Sequence, residues 1–248
     1  MTSTLSPRDA SDAARRTSGA TLDAGAVERF VALLTGPDDA GAEHAVRDWL
    51  ARGVLIETLY LDLFAPAAVR LGALWDEDAC DFLQVTDALG RMHRVLHLLE
   101  PVWLTPAPEA TRVGRALMAC PAGEQHTLGL FLVADFFARD GWDVLVGPPL
   151  DRVGLLDAVT EQHIDVVGFS VGCTTRLPRL AHDIAHVRRA SRNPHILVLV
   201  GGPPFVGDPT LVARVGADAT AVSADGAPAI ARALLARRSA VDAPLPAI

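Results

Sequence analysis

Lysine is absent from this chain: all 22 of its Lys-or-Arg positions are arginine. That removes the Schiff-base lysine of pyridoxal enzymes and the phosphate-reaching lysine of a Walker A loop, and so disfavours kinase and P-loop chemistry. Cysteine is scarce, and Cys80, Cys120 and Cys173 have no paired spacing, so neither a disulfide framework nor a thiolate zinc site is indicated. No apolar run approaches the roughly 18 residues that a membrane span needs. Residues 1–22 are rich in Ser, Thr, Ala, Arg and Asp and lack the apolar segment of a secretory signal. They read as a disordered lead-in, and the protein as cytosolic. A basic patch is missing too: a formal charge of −8 argues against tracking a phosphate backbone, and no direct nucleic-acid contact is expected.

What is present suffices for two modest domains, since the chain has 248 residues and 50% hydrophobic content. Residues 23–104 follow a helical pattern with polar breaks at Gly36-Pro37-Asp38-Asp39 and Arg52-Gly53. In the last of these helices Phe82, Val85, Leu89, Met92, Leu96 and Leu99 recur at intervals of three and four, which predicts one apolar stripe and a small helical bundle. The prolines at 101, 106 and 108 oppose helix continuation and mark a linker over 105–112.

Beyond the linker, strand-like and helix-like runs alternate. Strands are expected at Val113–Ala119, Trp142–Val146, Asp165–Ser170, Ile196–Val200 and Asp218–Val222. Helices are expected around Leu128–Arg139, Val153–Gln162, Leu177–Ala190, Pro209–Val215 and Ala227–Arg237. Near-continuous apolar strands separated by helices imply a parallel sheet covered on both faces. The expected class is α/β: a flavodoxin-like, doubly wound, five-stranded domain over 113–238, with a tail at 239–248.

The most telling stretch is Glu124-Gln125-His126-Thr127-Leu128-Gly129, directly after an apolar run and before a helix-like one. A histidine there lies at the carboxyl end of a strand, the edge where open α/β sheets bind ligands. Glu124, two residues earlier, is placed to accept the ring N–H not used for ligation, which raises the basicity of the other nitrogen. His126 is thus a candidate metal ligand. Ser170-Val171-Gly172 and Gly201-Gly202 end two later strands, at βαβ distances that bring all three loops to one edge.

The order E-x-H-x-x-G, S-x-G, G-G resembles the Asp-x-His-x-x-Gly, Ser-x-Leu, Gly-Gly signature of cobalamin-binding domains. The resemblance implies a histidine that displaces the dimethylbenzimidazole base, becoming the lower axial ligand of cobalt, while the base and its tail bury beside the sheet. His126 would then be the cobalt ligand and Glu124 its supporting carboxylate. Gln125, Thr127, Gly129, Val171 and Gly172 would line the cofactor, with Ser170 near the buried base and Gly201 and Gly202 as the floor of the tail slot. Glutamate replaces the usual aspartate, and Gly172 stands where leucine is usual.

Leu71-Gly72-Ala73-Leu74-Trp75, followed by Asp76-Glu77-Asp78, is similar to the helical cap over the upper corrin face in such modules. Trp75 would lie over the upper axial position, with Val85 and Thr86 one helix away. Where the light-sensing CarH-type regulators have a histidine after this tryptophan and a Glu-His pair further on, this chain has Asp76 and Val85-Thr86. Over residues 25–238 the chain is most similar to the AerR/PpaA group. That similarity implies a non-enzymatic, light-responsive antirepressor that binds adenosyl-, methyl- or hydroxocobalamin and acts on a separate PpsR/CrtJ-type repressor of photosynthesis genes.

Two other readings compete: a corrinoid methyl carrier of a methyltransferase system, and a haem-binding redox sensor on the same scaffold. The pairs His93/His97 and His182/His186 have the i, i+4 spacing of a one-helix metal site but no recognisable third ligand, and read as partly exposed helix positions.

Overall fold

The computed structural model describes residues 20–103, 112–121, 124, 127–146 and 152–241. The chain divides into two compact units, Met1–Trp103 and Leu104–Ile248. The assigned linker and lead-in fall largely outside the described residues. Of the lead-in, Ala20 is described and forms a parallel bridge to Val54.

The first unit contains α1 (Ala26–Thr35), α2 (Gly41–Ala51) and a continuous helical run. That run is α3 (Ile56–Thr58), a π-helical stretch Leu59–Phe64 and α4 (Ala65–Asp76), and α5 (Phe82–Trp103) follows it. Phe30 sits between Trp49 and Phe64, at centroid distances of 6.2 and 5.5 Å, and Tyr60 packs edge-on against Phe64. All four are buried. Removing such large apolar rings from water is what drives helices with one apolar face together. The π-helical stretch carries four consecutive or near-consecutive core residues, Leu59, Tyr60, Leu63 and Phe64.

Two polar devices fix how α5 begins and what it holds. Asp81 and Gln84 form a reciprocal capping box: the Gln84 amide donates to Asp81 Oδ1 (2.8 Å), and the Asp81 amide donates to Gln84 Oε1 (2.9 Å). Further along, the Arg91 guanidinium donates to the carbonyls of Leu34 (3.1 Å) and Gly36 at the end of α1 and pairs with Asp39.

Two expectations for this helix are corrected. The apolar stripe holds from Val85 through Met92, Leu96 and Leu99, all buried, but Phe82 is 62% exposed because it stands in the first turn, where it meets the Trp75 ring edge-on at 5.5 Å. The helix also runs through Pro101 to Trp103. Proline in a last turn forfeits a single backbone bond, which a helix with an established apolar face tolerates.

The second unit is a five-stranded parallel sheet in the order β2-β1-β3-β4-β5, formed by β1 (Arg115–Ala119), β2 (Asp143–Val146), β3 (Val166–Ser170), β4 (Leu197–Gly201) and β5 (Ala219–Thr220). This is the flavodoxin-like order, with its topological switch between β1 and β3. Strand alternation sends Ala116 and Met118 to one face, under α6 (Leu128–Arg139) and the final helix, and Leu117 and Ala119 to the other. On that other face α7 (Arg152–Glu161) and α8 (Leu177–Ala190) supply Leu155, Val159, Leu180 and Ile184.

The amino edge of the sheet is tied by charge. Arg115 pairs with Asp143 (2.6 Å), its amide donates to Asp165 Oδ2 (2.7 Å), and Arg188 pairs with Asp218 (2.9 Å). Gly201-Gly202-Pro203-Pro204, read as a loop, instead passes into a short helix α9 (Pro203–Gly207), because proline in the first helical turn needs no N–H partner. The next helix, α10 (Leu211–Val215), and β5 are both shorter than expected, and α11 (Ala227–Val241) ends the described chain. Among the described residues no helix is long and apolar enough to cross a membrane.

Candidate functional site at the carboxyl edge of the sheet

Three loops leave the carboxyl ends of β1, β3 and β4, and Glu124 joins the first two. Its side chain is 5% exposed, and Oε2 accepts the amide of Gly172 at 3.0 Å. The Glu124 amide donates to Pro121 O (2.9 Å). A buried carboxylate held by a backbone N–H is a strong, charge-assisted tie. Gln125 and His126 lie outside the described residues.

Cys120, just after β1, is buried, and its thiol is pushed up to about 12, first by burial and then by the neighbouring Glu124 charge. It therefore stays protonated near neutral pH.

The β3 and β4 ends lock together. Val171 N donates to Gly201 O (3.1 Å), and Gly202, at φ 109°, lies so close to Val171 that an added Cβ would fall 2.1 Å from its carbonyl oxygen. Only glycine fits there. The Val171 side chain is fully buried in the core beneath α7 and α8.

A narrow cavity of about 50 Å³ opens on the opposite face, between the sheet and α6, lined by Met118, Gly168, Ser170 and Gly201 from the strands and Leu130 and Phe137 from the helix. A Cβ on Gly201 would meet nothing within 4 Å. Gly129, in the first turn of α6, faces Ser170, whose hydroxyl would stand 3.7 Å from a Cβ added there. Thr127 begins that helix, its carbonyl accepting the Leu130 amide (3.0 Å).

The expected residues thus separate. Ser170 and Gly201, with Gly129 beside them, belong to the cavity. Glu124, Val171, Gly172 and Gly202 tie the loops to one another. Gly172 also borders a wider cleft of about 840 Å³ on the other face, with Leu177 and Leu211. In the first unit, Trp75 is 43% exposed in the last turn of α4, Val85 is buried, and Thr86 is exposed with its hydroxyl donating to Phe82 O (2.7 Å).

Met118 and Gly168 were not among the expected residues. A glycine inside the apolar strand Val166–Ser170 is the signal that could have found them, because it marks close approach of another group.

The cavity's chemistry suits a planar, uncharged group: its walls are apolar, with the Ser170 hydroxyl as the one polar side chain. The cavity is narrow, so a bicyclic base enters only as the walls part. Among the described residues no three His, Cys, Asp or Glu side chains converge as a metal site. The His182 and His186 rings lie 4.1 Å apart on α8, tilted by 51°, and His93 Nδ1 lies 2.9 Å from Leu89 O on α5.

Residues 114–232 match the B12 binding domain family. A Rhodobacter capsulatus protein, the uncharacterized 20.5 kDa protein in bchF-crtJ intergenic region, is 30% identical over 173 residues, covering 69% of this chain and 88% of that protein. The chain belongs to the AerR/PpaA group of cobalamin-binding-domain proteins. Its cofactor is cobalamin. The monomethylamine corrinoid protein of Methanosarcina barkeri shares the fold, with a TM-score of 0.71 over 83% of this chain and 96% of that one, at 17% identity. In this cobalamin-binding domain the match begins at Gly114, just before β1, and ends within α11, so it takes in every strand and all three loops of the carboxyl edge.

Proposed function

We propose that this protein is a cytoplasmic, light-responsive antirepressor that binds cobalamin, catalyses no turnover, and acts on a separate repressor of the PpsR/CrtJ type. The observation that carries this reading is the R. capsulatus relative, whose name places it in the bchF-crtJ intergenic region and of which this chain covers 88%. The likeness to the M. barkeri corrinoid protein speaks for fold alone.

In this reading His126 would hold the cobalt, and the cavity between sheet and α6 would take the cofactor's base. In its alkylated forms the cofactor would supply a cobalt–carbon bond that light can break. The protein's own part is positional. The Glu124–Gly172 tie holds the loop carrying His126 to the end of β3, and the Val171–Gly201 contact carries that constraint on to β4. In the helical unit Trp75 meets Phe82 edge-on, and Trp75, Phe82 and Leu83 form the exposed apolar surface that this reading gives to a partner.

The test reconstitutes wild type and His126→Ala with adenosylcobalamin in the dark, records spectra before and after illumination, and measures affinity for the purified repressor in both states. Wild type is expected to show a histidine-ligated spectrum, a light-induced change and a matching change in repressor affinity, with His126→Ala losing the first. A spectral change with no change in repressor affinity refutes the antirepressor role. Methyl transfer to a thiol acceptor by a partner methyltransferase establishes the carrier role instead.

A further inference from the structure

We propose that Met118 and Gly168 together set the depth of the base slot, and thereby the size of the lower base that the protein accepts on its corrinoid. This rests on the reading of the cavity beside α6 as the slot for that base. Met118 on β1 and Gly168 on β3 are register partners, so both point to the same face of the sheet. The Met118 side chain, wholly buried, lies across the glycine: a Cβ at 168 would sit 2.6 Å from its sulfur and 3.5 Å from its methyl carbon. The missing side chain at 168 is thus the berth of the thioether, which accounts for a glycine that otherwise weakens a central strand.

The other walls yield less. Gly168, Ser170 and Gly201 present strand backbone, and β3 and β4 are each paired on both sides. Phe137 is fixed against Trp142 at 5.2 Å. Methionine is unbranched with three rotatable bonds and fits itself to irregular gaps. It is therefore the wall that reshapes when a flat base enters. A larger residue at 168 would lift the thioether into a cavity of only about 50 Å³, and a smaller one at 118 would deepen it.

The experiment measures dissociation constants of wild type, Gly168→Ala, Met118→Ala and the double variant. The ligands are cobalamin, cobinamide (a corrinoid without nucleotide or base) and a cobalamin analogue with a tricyclic naphthimidazole base, and a thermal melt of each variant accompanies them. Both natural-size ligands can accept the axial histidine, so their difference reads the slot. Wild type is expected to prefer cobalamin over cobinamide. Gly168→Ala should weaken cobalamin by about tenfold, equivalent to about 1.4 kcal/mol, with cobinamide unchanged, and the double variant should restore it. Met118→Ala, which spares the backbone, should shift preference toward the naphthimidazole analogue, and this reads slot depth even if Gly168→Ala does not fold. Equal loss of cobalamin and cobinamide, no rescue, or an unchanged base preference in Met118→Ala overturns the proposal while leaving the slot in place. Equal affinity of wild type for cobalamin and cobinamide overturns the slot reading itself, and this proposal with it.

Discussion

Replacing Gly202 by alanine should damage fold and site together, and the size of the effect follows from two features of one residue. At φ 109° and ψ 171° Gly202 occupies a backbone region that L side chains scarcely enter, which costs on the order of 1–3 kcal/mol. The added Cβ would also lie 2.1 Å from Val171 O, where ordinary contact begins at 3.4 Å. Relief requires the β3 and β4 ends to separate by more than an ångström, which breaks the Val171 N to Gly201 O bond and forfeits roughly 1 kcal/mol more. The expected loss is therefore about 2–4 kcal/mol. With a urea dependence of roughly 2 kcal/mol per molar, the midpoint of the α/β unit falls by roughly 1–2 M. Urea titration followed by circular dichroism measures this, and cobalamin titration of the folded variant should show weakened binding because Gly172, the Glu124 anchor, moves with Val171. A variant within 1 kcal/mol of wild type that binds cobalamin normally would refute the claim that this contact fastens the two strand ends.

Cys120 should make stability fall at alkaline pH. Its thiol is raised in the folded state to about 12 from 9.0, so its contribution is complete below pH 9 and is lost as pH rises toward 12, at up to about 1.4 kcal/mol per pH unit. Denaturant titrations at pH 8 and pH 10.5 should show a smaller fall for Cys120→Ala than for wild type, and equal falls would contradict the assignment. Arg91→Ala should destabilise the helical unit by about 2 kcal/mol, because two carbonyls at the end of α1 lose a guanidinium donor that is mostly buried, while the pair with well-exposed Asp39 adds little. Thermal melting checks it, and Arg91→Lys should recover only part of the loss, since one ammonium does not reproduce the planar fork.

Much of the fold was legible because its signals are local. Apolar strands alternating with helices predicted the parallel sheet, and the E-x-H-x-x-G, S-x-G and G-G loops predicted the edge at which they gather. The pattern misled where a residue's neighbours decide its state. Phe82 keeps the helical interval of the stripe yet is exposed beside Trp75, and Pro101 continues a helix that its composition argued against. The two glycines of Gly201-Gly202 looked alike in sequence, but one borders the cavity and the other presses on Val171.

By itself the amino-acid sequence determined the element types, the order of helical unit and α/β unit, and the family motif, because periodicity and turn chemistry act over a few residues. Only the tertiary structure decided that Met118 lies over Gly168 and that Glu124 reaches Gly172. Those pairings join residues on different strands and loops. They depend on strand register and backbone torsion, which no short-range pattern encodes.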